Sequence, residues 1–153
     1  MEPAPRLPIA ALLCGIVASA IVTMAIVVLL FGLAGLASDG AFSGEMMLRG
    51  WINGLGFALP AALLIGFPLA AWRLRDPQAP RRRWSITGAL AGALAGIATD
   101  LVLALATPAF AMFGPAWPGL AIGILAIAIS AGMVAAQLAR RFTLWLAPRF
   151  NRA

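Results

Sequence analysis

The chain has 153 residues, of which 63% are hydrophobic and 10% charged, with a formal net charge of +6. Soluble domains carry about 25% charged residues, so this composition excludes an ordinary soluble protein and predicts an integral membrane protein. The sequence has no His, and all its basic residues are Arg, which excludes the usual zinc sites, His-ligated haem and Schiff-base lysine chemistry. We therefore expect no cofactor and no metal.

Four segments are long and apolar enough to cross a bilayer, which requires about 20 predominantly apolar residues. They are residues 9–37, 51–72, 84–107 and 117–138. The predicted fold is all-α, a single membrane domain over residues 1–153 with four transmembrane helices joined by short loops. Residues 139–153 are predicted to form an amphipathic tail on the membrane surface, with aromatic side chains in the bilayer and Arg side chains on anionic headgroups.

The arginines predict the orientation of the helices. The N-terminus, the loop at residues 73–83 and the C-terminus together carry ten of the eleven arginines, and Arg49 is the only one in the other two loops. Cytoplasmic loops carry an excess of basic residues, so both termini are expected on the cytoplasmic side. The Ala- and Arg-rich, Lys-free composition is typical of a GC-rich bacterial genome, and we expect the protein in a bacterial inner membrane.

Tryptophan positions agree with this arrangement. Indole side chains prefer the headgroup region of a bilayer. All five lie at the ends of the predicted helices or in the tail: Trp51 and Trp117 at the outer boundary, and Trp72, Trp84 and Trp145 at the inner one. The basic clusters at the inner boundary are Arg81, Arg82 and Arg83, and Arg140 and Arg141. Nucleic-acid binding is the alternative for such clusters, but topology and lipid contact explain them with fewer assumptions.

Small residues at four-residue spacing predict close helix contacts, because helices in lipid associate largely through tight packing. The third helix carries a GxxxGxxxG pattern, the first a similar series and the fourth a glycine pair: Gly88, Gly92 and Gly96; Ala11, Gly15, Ser19 and Thr23; Gly119 and Gly123. These stripes fit either packing within the chain or contact between copies of it. In the second helix, Pro60 and Pro68 are expected to produce kinks.

Asp100 is the one acidic residue within a predicted span, at roughly 24 Å from the inner boundary. An ionisable group at this depth is expensive in free energy and is a functional candidate by default. Thr23, Asn53 and Arg49 are its candidate partners at matching depth. Two interpretations stay open, namely a carboxylate that couples to protons or cations and a carboxyl group that joins two helices by hydrogen bonds.

No catalytic motif is present, so we expect no enzymatic activity. Residues 9–75, with Trp51, Phe57, Pro60 and Pro68, resemble small two-helix bacterial membrane domains of unknown function, which implies no activity. The first functional hypothesis is an accessory subunit that packs against or stabilises a larger membrane complex, with other membrane subunits or copies of itself as partners. The alternative is a small homo-oligomeric transporter or channel that uses Asp100.

Overall fold

The computed structural model describes residues 7–37, 44–74, 76, 78–106 and 117–150, which contain helices and no strand. In chain order the elements are α1 (Ile9–Ala37), α2 (Gly44–Ala61), a π-helical turn (Ala62–Gly66), α3 (Phe67–Arg73), α4 (Arg81–Ala106) and α5 (Trp117–Phe150). The elements α2, π turn and α3 follow one another without a break and together form the second span. The described chain confirms the expected helical fold, and it contains four helices that are long and apolar enough to cross a membrane.

Proline precedes the first turn of two spans. The amide of Leu12 donates to the carbonyl of Pro8 at 3.1 Å, and the amide of Arg83 donates to the carbonyl of Pro80 at 2.9 Å. Proline suits a helix start because it has no N–H that would need a partner there, and its φ is already helical. In the turn that leads into α4, the Oδ1 of Asp76 accepts a hydrogen bond from the amide of Gln78 at 2.8 Å.

The second span begins earlier than predicted and contains a widened turn. Its helix starts at Gly44, so the residues expected to lie on the outer surface continue into the span. The amide of Phe67 donates to the carbonyl of Ala62, five residues back, as in a π-helix. Pro68 has no N–H to offer the carbonyl four residues before it, and local π adjustments are one way in which membrane helices accommodate such a proline. The predicted irregularity therefore takes the form of a π turn between Pro60 and Pro68.

The last helix is longer than the sequence predicted. It does not end near Leu138 but continues to Phe150 as one helix about 50 Å long. The expected separate tail therefore differs from the structure over residues 139–150, and residues 151–153 lie outside the described chain. Ala139, Thr143 and Ala147, at four-residue spacing, are buried, so this stretch has a packing partner that keeps it in the bundle.

The spans are arranged in the order second span, α1, α5 and α4. α5 packs along both α1 and α4, α2 packs on α1, and the π turn and α3 contact both α1 and α4. The buried core lies at the end where α1 and α4 begin and where α3 and α5 finish. It contains Leu7, Ala11, Leu12, Ile16, Ala70, Leu74, Ala79, Trp84, Ala139 and Ala147. We call this set the basal core.

Candidate functional site

The glycines of α4 lie against α5. A Cβ on Gly88 would overlap the carbonyl of Gly132, and one on Gly92 would overlap the carbonyl of Ala128. At Gly96 a Cβ would lie 3.1 Å from the side chain of Ala128. The GxxxGxxxG pattern therefore makes a contact within the chain. Sequence reasoning missed Gly132, although it lies four residues from both Ala128 and Ala136 on a stripe of small residues.

The small-residue series of α1 also faces α5. A Cβ on Gly15 would overlap the Thr143 hydroxyl and lie 3.0 Å from the carbonyl oxygen of Ala139. Ser19 is 2% exposed, and its hydroxyl donates to the carbonyl of Ile16 at 2.7 Å. The contact partner is the stretch that was predicted to be a surface tail, which explains why that stretch stays helical.

The glycine pair at the start of α5 behaves differently. Apart from the neighbouring residues and nearby backbone of α5 itself, no atom of the described chain lies within 4 Å of a Cβ built on Gly119 or Gly123. The same helix face continues through Ala126 and Ser130, both exposed, and the Ser130 hydroxyl donates to the carbonyl of Ala126 at 2.9 Å. We call these four residues the α5 outer face. The predicted stripe therefore exists, but the described part of the chain leaves it uncovered.

A cavity of about 240 Å³ lies between the four spans. Alanine and glycine residues form most of its wall, and the hydroxyl-bearing residues Ser19, Thr23 and Thr87 also line it. Trp84 closes its basal end beside Leu74. The volume exists because the side chains that face it, on all four spans, are too small to fill it.

The carboxyl group of Asp100 is not part of the cavity wall. Its Oδ1 is buried and has no hydrogen-bond partner in the described structure. Arg49, one of the three candidate partners, forms an exposed ion pair at 2.6 Å with Glu45, one turn earlier on the same helix. Asn53 is exposed, and the Oγ1 of Thr23 is buried without a partner. Among the described residues the structure therefore brings none of the three candidates into a hydrogen bond with Asp100.

The tryptophans divide into exposed and buried positions. Trp72 and Trp145 are 80% and 59% exposed. Trp84, which the sequence predicted to lie at the lipid interface, is 2% exposed, so its indole contacts protein. It lies in the first turn of α4, and its indole fills the basal core between spans. Trp51 is half-buried with its indole N–H unpartnered, and the side chain of Trp117 lies outside the description.

Five of the basic residues directly precede Trp84 or follow Ala139, two members of the basal core. Arg81, Arg82, Arg83 and Arg141 are exposed, whereas Arg140 is half-buried and its Nε is buried without a hydrogen-bond partner. Near the end of α5, the guanidinium carbon of Arg149 lies 3.8 Å from the ring centroid of Trp145, a cation–π contact.

Gln137 makes a polar link between helices that the sequence did not reveal. Its Nε2 donates to the Oγ of Ser85 at 2.6 Å and to the carbonyl of Arg81 at 3.0 Å. The link ties α5 to the first turn of α4. The amide of Gln137 within an otherwise apolar helix could have indicated this link, because such a group in lipid usually requires a hydrogen-bond partner.

The described residues contain no group of three or more His, Cys, Asp or Glu side chains that could hold a metal ion. Comparisons with protein-family models, with curated proteins and with solved structures found no match.

Proposed function

We propose that the protein is a non-enzymatic membrane subunit that attaches to a larger membrane complex through the α5 outer face. The observation that carries this proposal is the open pair Gly119 and Gly123. Small residues on a membrane helix allow a second helix to approach closely, and the other small-residue stripes of this chain are already covered from within. This stripe lacks such a cover in the described chain, and a helix of another subunit would supply it.

The interior of the bundle supports a structural role. The cavity wall contains no charged residue, and two of its three hydroxyl groups donate to carbonyls of their own helices, Ser19 to Ile16 and Thr87 to Arg83. A pathway for ions would need a succession of polar groups or water-filled space. The described chain alone offers no such succession.

We further propose that both termini face the cytoplasm of a bacterium and that the basal core lies at the cytoplasmic side of the inner membrane. The exposed arginines cluster around this end, whereas at the opposite end Arg49 is paired with Glu45. This asymmetry favours the stated orientation and contact with anionic lipids.

A Cys14→Ala variant with Cys introduced at Gln78 or at Glu45 tests the orientation. We expect a membrane-impermeant thiol reagent to label position 45 in intact cells and position 78 only after lysis; the reverse pattern would overturn the orientation.

Native purification tests the subunit proposal. The chain is extracted from its own membrane in a mild detergent, and the co-purifying proteins and the native mass of the particle are determined by mass spectrometry. We expect other membrane subunits in fixed stoichiometry with the wild-type chain. A particle that contains copies of this chain alone would overturn the proposal.

A matched pair of variants locates the contact. We expect Gly119→Leu with Gly123→Leu to reduce the recovery of partner subunits at least tenfold without changing the stability of the chain. The control is Gly56→Leu, which places the same side chain at another open, exposed glycine, on the second span. Equal loss of partners in the control would mean that the α5 outer face is not the contact.

The second candidate function is a homo-oligomeric transporter or channel, which the buried and unpartnered Oδ1 of Asp100 favours. Asp100→Asn separates the two candidates, because Asn keeps the shape of the side chain but cannot ionise. Transport by a purified homo-oligomer, lost in Asp100→Asn with assembly intact, is expected of a transporter. Unchanged partner recovery with no measurable flux is expected of the subunit.

A further inference from the structure

The cavity between the spans has the shape of a slot. Its wall extends from Ile16 to Val27 on α1, from Trp84 to Ala95 on α4 and from Ala128 to Ala139 on α5. Each of these stretches is about 16 Å long. A long apolar space of this volume, about 240 Å³, suits an extended hydrocarbon chain.

One hydroxyl group in the slot has no partner. Thr23 lines the wall, is 7% exposed, and its Oγ1 is buried with no hydrogen bond in the described structure. A buried hydroxyl without a partner is unfavourable, and nearly all such groups in proteins are paired. The neighbouring hydroxyls of Ser19 and Thr87 are satisfied by carbonyls of their own helices. Thr23 is therefore the group in the slot that is available to a ligand.

We propose that the slot is a binding site for a single-chain lipid, that is, one linear hydrocarbon chain with a hydrogen-bonding oxygen. The chain lies along the slot, and the oxygen bonds to the hydroxyl of Thr23. Apolar cavities of about 150 Å³ in soluble proteins already take up benzene-sized guests, so a larger apolar slot within lipid has ample volume for part of a chain. This site is independent of the α5 outer face and of any partner subunit.

The gap between α2 and α4 is the access route. The second span approaches α4 through its π turn and α3, whereas the preceding helix α2 makes its main contact with α1. At the basal end, Trp84 and Leu74 close the slot. A chain in the slot therefore reaches the otherwise buried indole of Trp84, which provides a local fluorescent probe.

Fluorescence quenching by bromine tests the proposal in the purified full-length chain. A variant that keeps Trp84 alone, with the other four tryptophans changed to Phe, is reconstituted in phosphatidylglycerol vesicles. A bromine-labelled long-chain alcohol is then added in one arm, and in the other arm the vesicle lipid itself carries brominated chains. A variant that keeps Trp72 alone is the positive control, because this side chain is 80% exposed.

We expect the alcohol to quench Trp84 in a saturable manner. Ala91→Phe, which fills the slot, is expected to abolish this quenching, whereas Ala98→Phe, the same change on an exposed position of α4, is expected to leave it intact. Thr23→Val is expected to weaken binding of the alcohol roughly fivefold, equivalent to about 1 kcal/mol for one neutral hydrogen bond.

Three results would overturn the proposal. The first is no quenching of Trp84 in either arm while Trp72 is quenched. The second is quenching that persists in Ala91→Phe, since the bromine would then reach the indole from elsewhere. The third is quenching by the brominated vesicle lipid with no effect of the alcohol, because the occupant would then be a bilayer phospholipid chain rather than a single-chain ligand bonded to Thr23.

Discussion

Gly88 of α4 and Gly132 of α5 lie against each other so closely that a Cβ on either residue would overlap the carbonyl oxygen of the other. The contact is reciprocal, and it sets the distance between the two helices. Close approach of this kind increases the number of backbone atoms in van der Waals contact, which is a principal source of helix association in lipid. The position therefore tolerates no side chain larger than hydrogen.

Gly132→Val is expected to destabilise the fold. The added side chain must displace the backbone of α4, and overpacking of a tight core costs typically about 1–3 kcal/mol. Unfolding by sodium dodecyl sulfate, followed by circular dichroism, measures the change. Gly119→Val is the control, because a Cβ at Gly119 meets no described atom. Equal stability of the two variants would show that the Gly88–Gly132 contact does not limit the helix distance.

The burial of Trp84 predicts a large difference between two tryptophans that the sequence treated alike. Trp84→Ala removes the largest side chain of the basal core and is expected to cost about 3–5 kcal/mol, as for other aromatic residues in cores. Trp72→Ala is expected to change stability by less than about 1 kcal/mol, because that indole is 80% exposed. The same detergent titration compares them, and similar losses would contradict the inward position of Trp84.

The bridge from Gln137 to Ser85 and Arg81 predicts a smaller effect. Hydrogen bonds between membrane helices average about 0.6 kcal/mol by double-mutant cycle, so Gln137→Leu is expected to lower stability by roughly 0.5–1.5 kcal/mol. Ser130→Ala, which removes only a bond to its own helix, is expected to have no measurable effect. The coupling is measured with Ser85→Ala and the double variant, and additive losses would rule out a direct bond.

The number and approximate places of the four spans, but not the start of the second or the end of the fourth, could be predicted from the sequence, because length and hydropathy largely determine which segments can cross a bilayer. The small-residue stripes of α1 and α4 were also visible as patterns. The sequence did not show which helix covers each stripe, since Gly88 and Gly119 lie in similar patterns and differ only in their neighbours in the fold. Pattern alone gives the face of a helix but not its partner.

The predictions for Trp84 and for the end of α5 did not anticipate how these residues pack in the bundle, and this has one physical cause. Both assignments rested on the preference of aromatic and basic residues for the lipid headgroups, which acts on side chains one at a time. In the structure, the basal core consists of residues from the ends of all four spans, and their contacts depend on tertiary packing. The slot and the free hydroxyl of Thr23 were likewise inaccessible, because a cavity is a property of several helices together.

The end of α5 provides the last prediction. Residues 139–150 pack on α1 and share the basal core with Leu7 and Leu12, which are 4% and 0% exposed. We infer that this part of the bundle lies among the arginines at the membrane surface, where water is present and the hydrophobic effect operates as it does in a soluble core. Deletion of residues 139–153 would expose both leucines to water, at a cost of about 1.5–3 kcal/mol for each.

The expected loss for this deletion is therefore at least roughly 3 kcal/mol, measured by the same detergent titration in micelles. The control is a deletion of residues 151–153 alone, which leaves the whole of α5 in place and is expected to have the stability of the full chain. If the chain that lacks residues 139–153 were as stable as the full chain, the rest of the basal core would be stable without the end of α5. The contact of Gly15 with Thr143 would then be a consequence of the fold and not one of its causes.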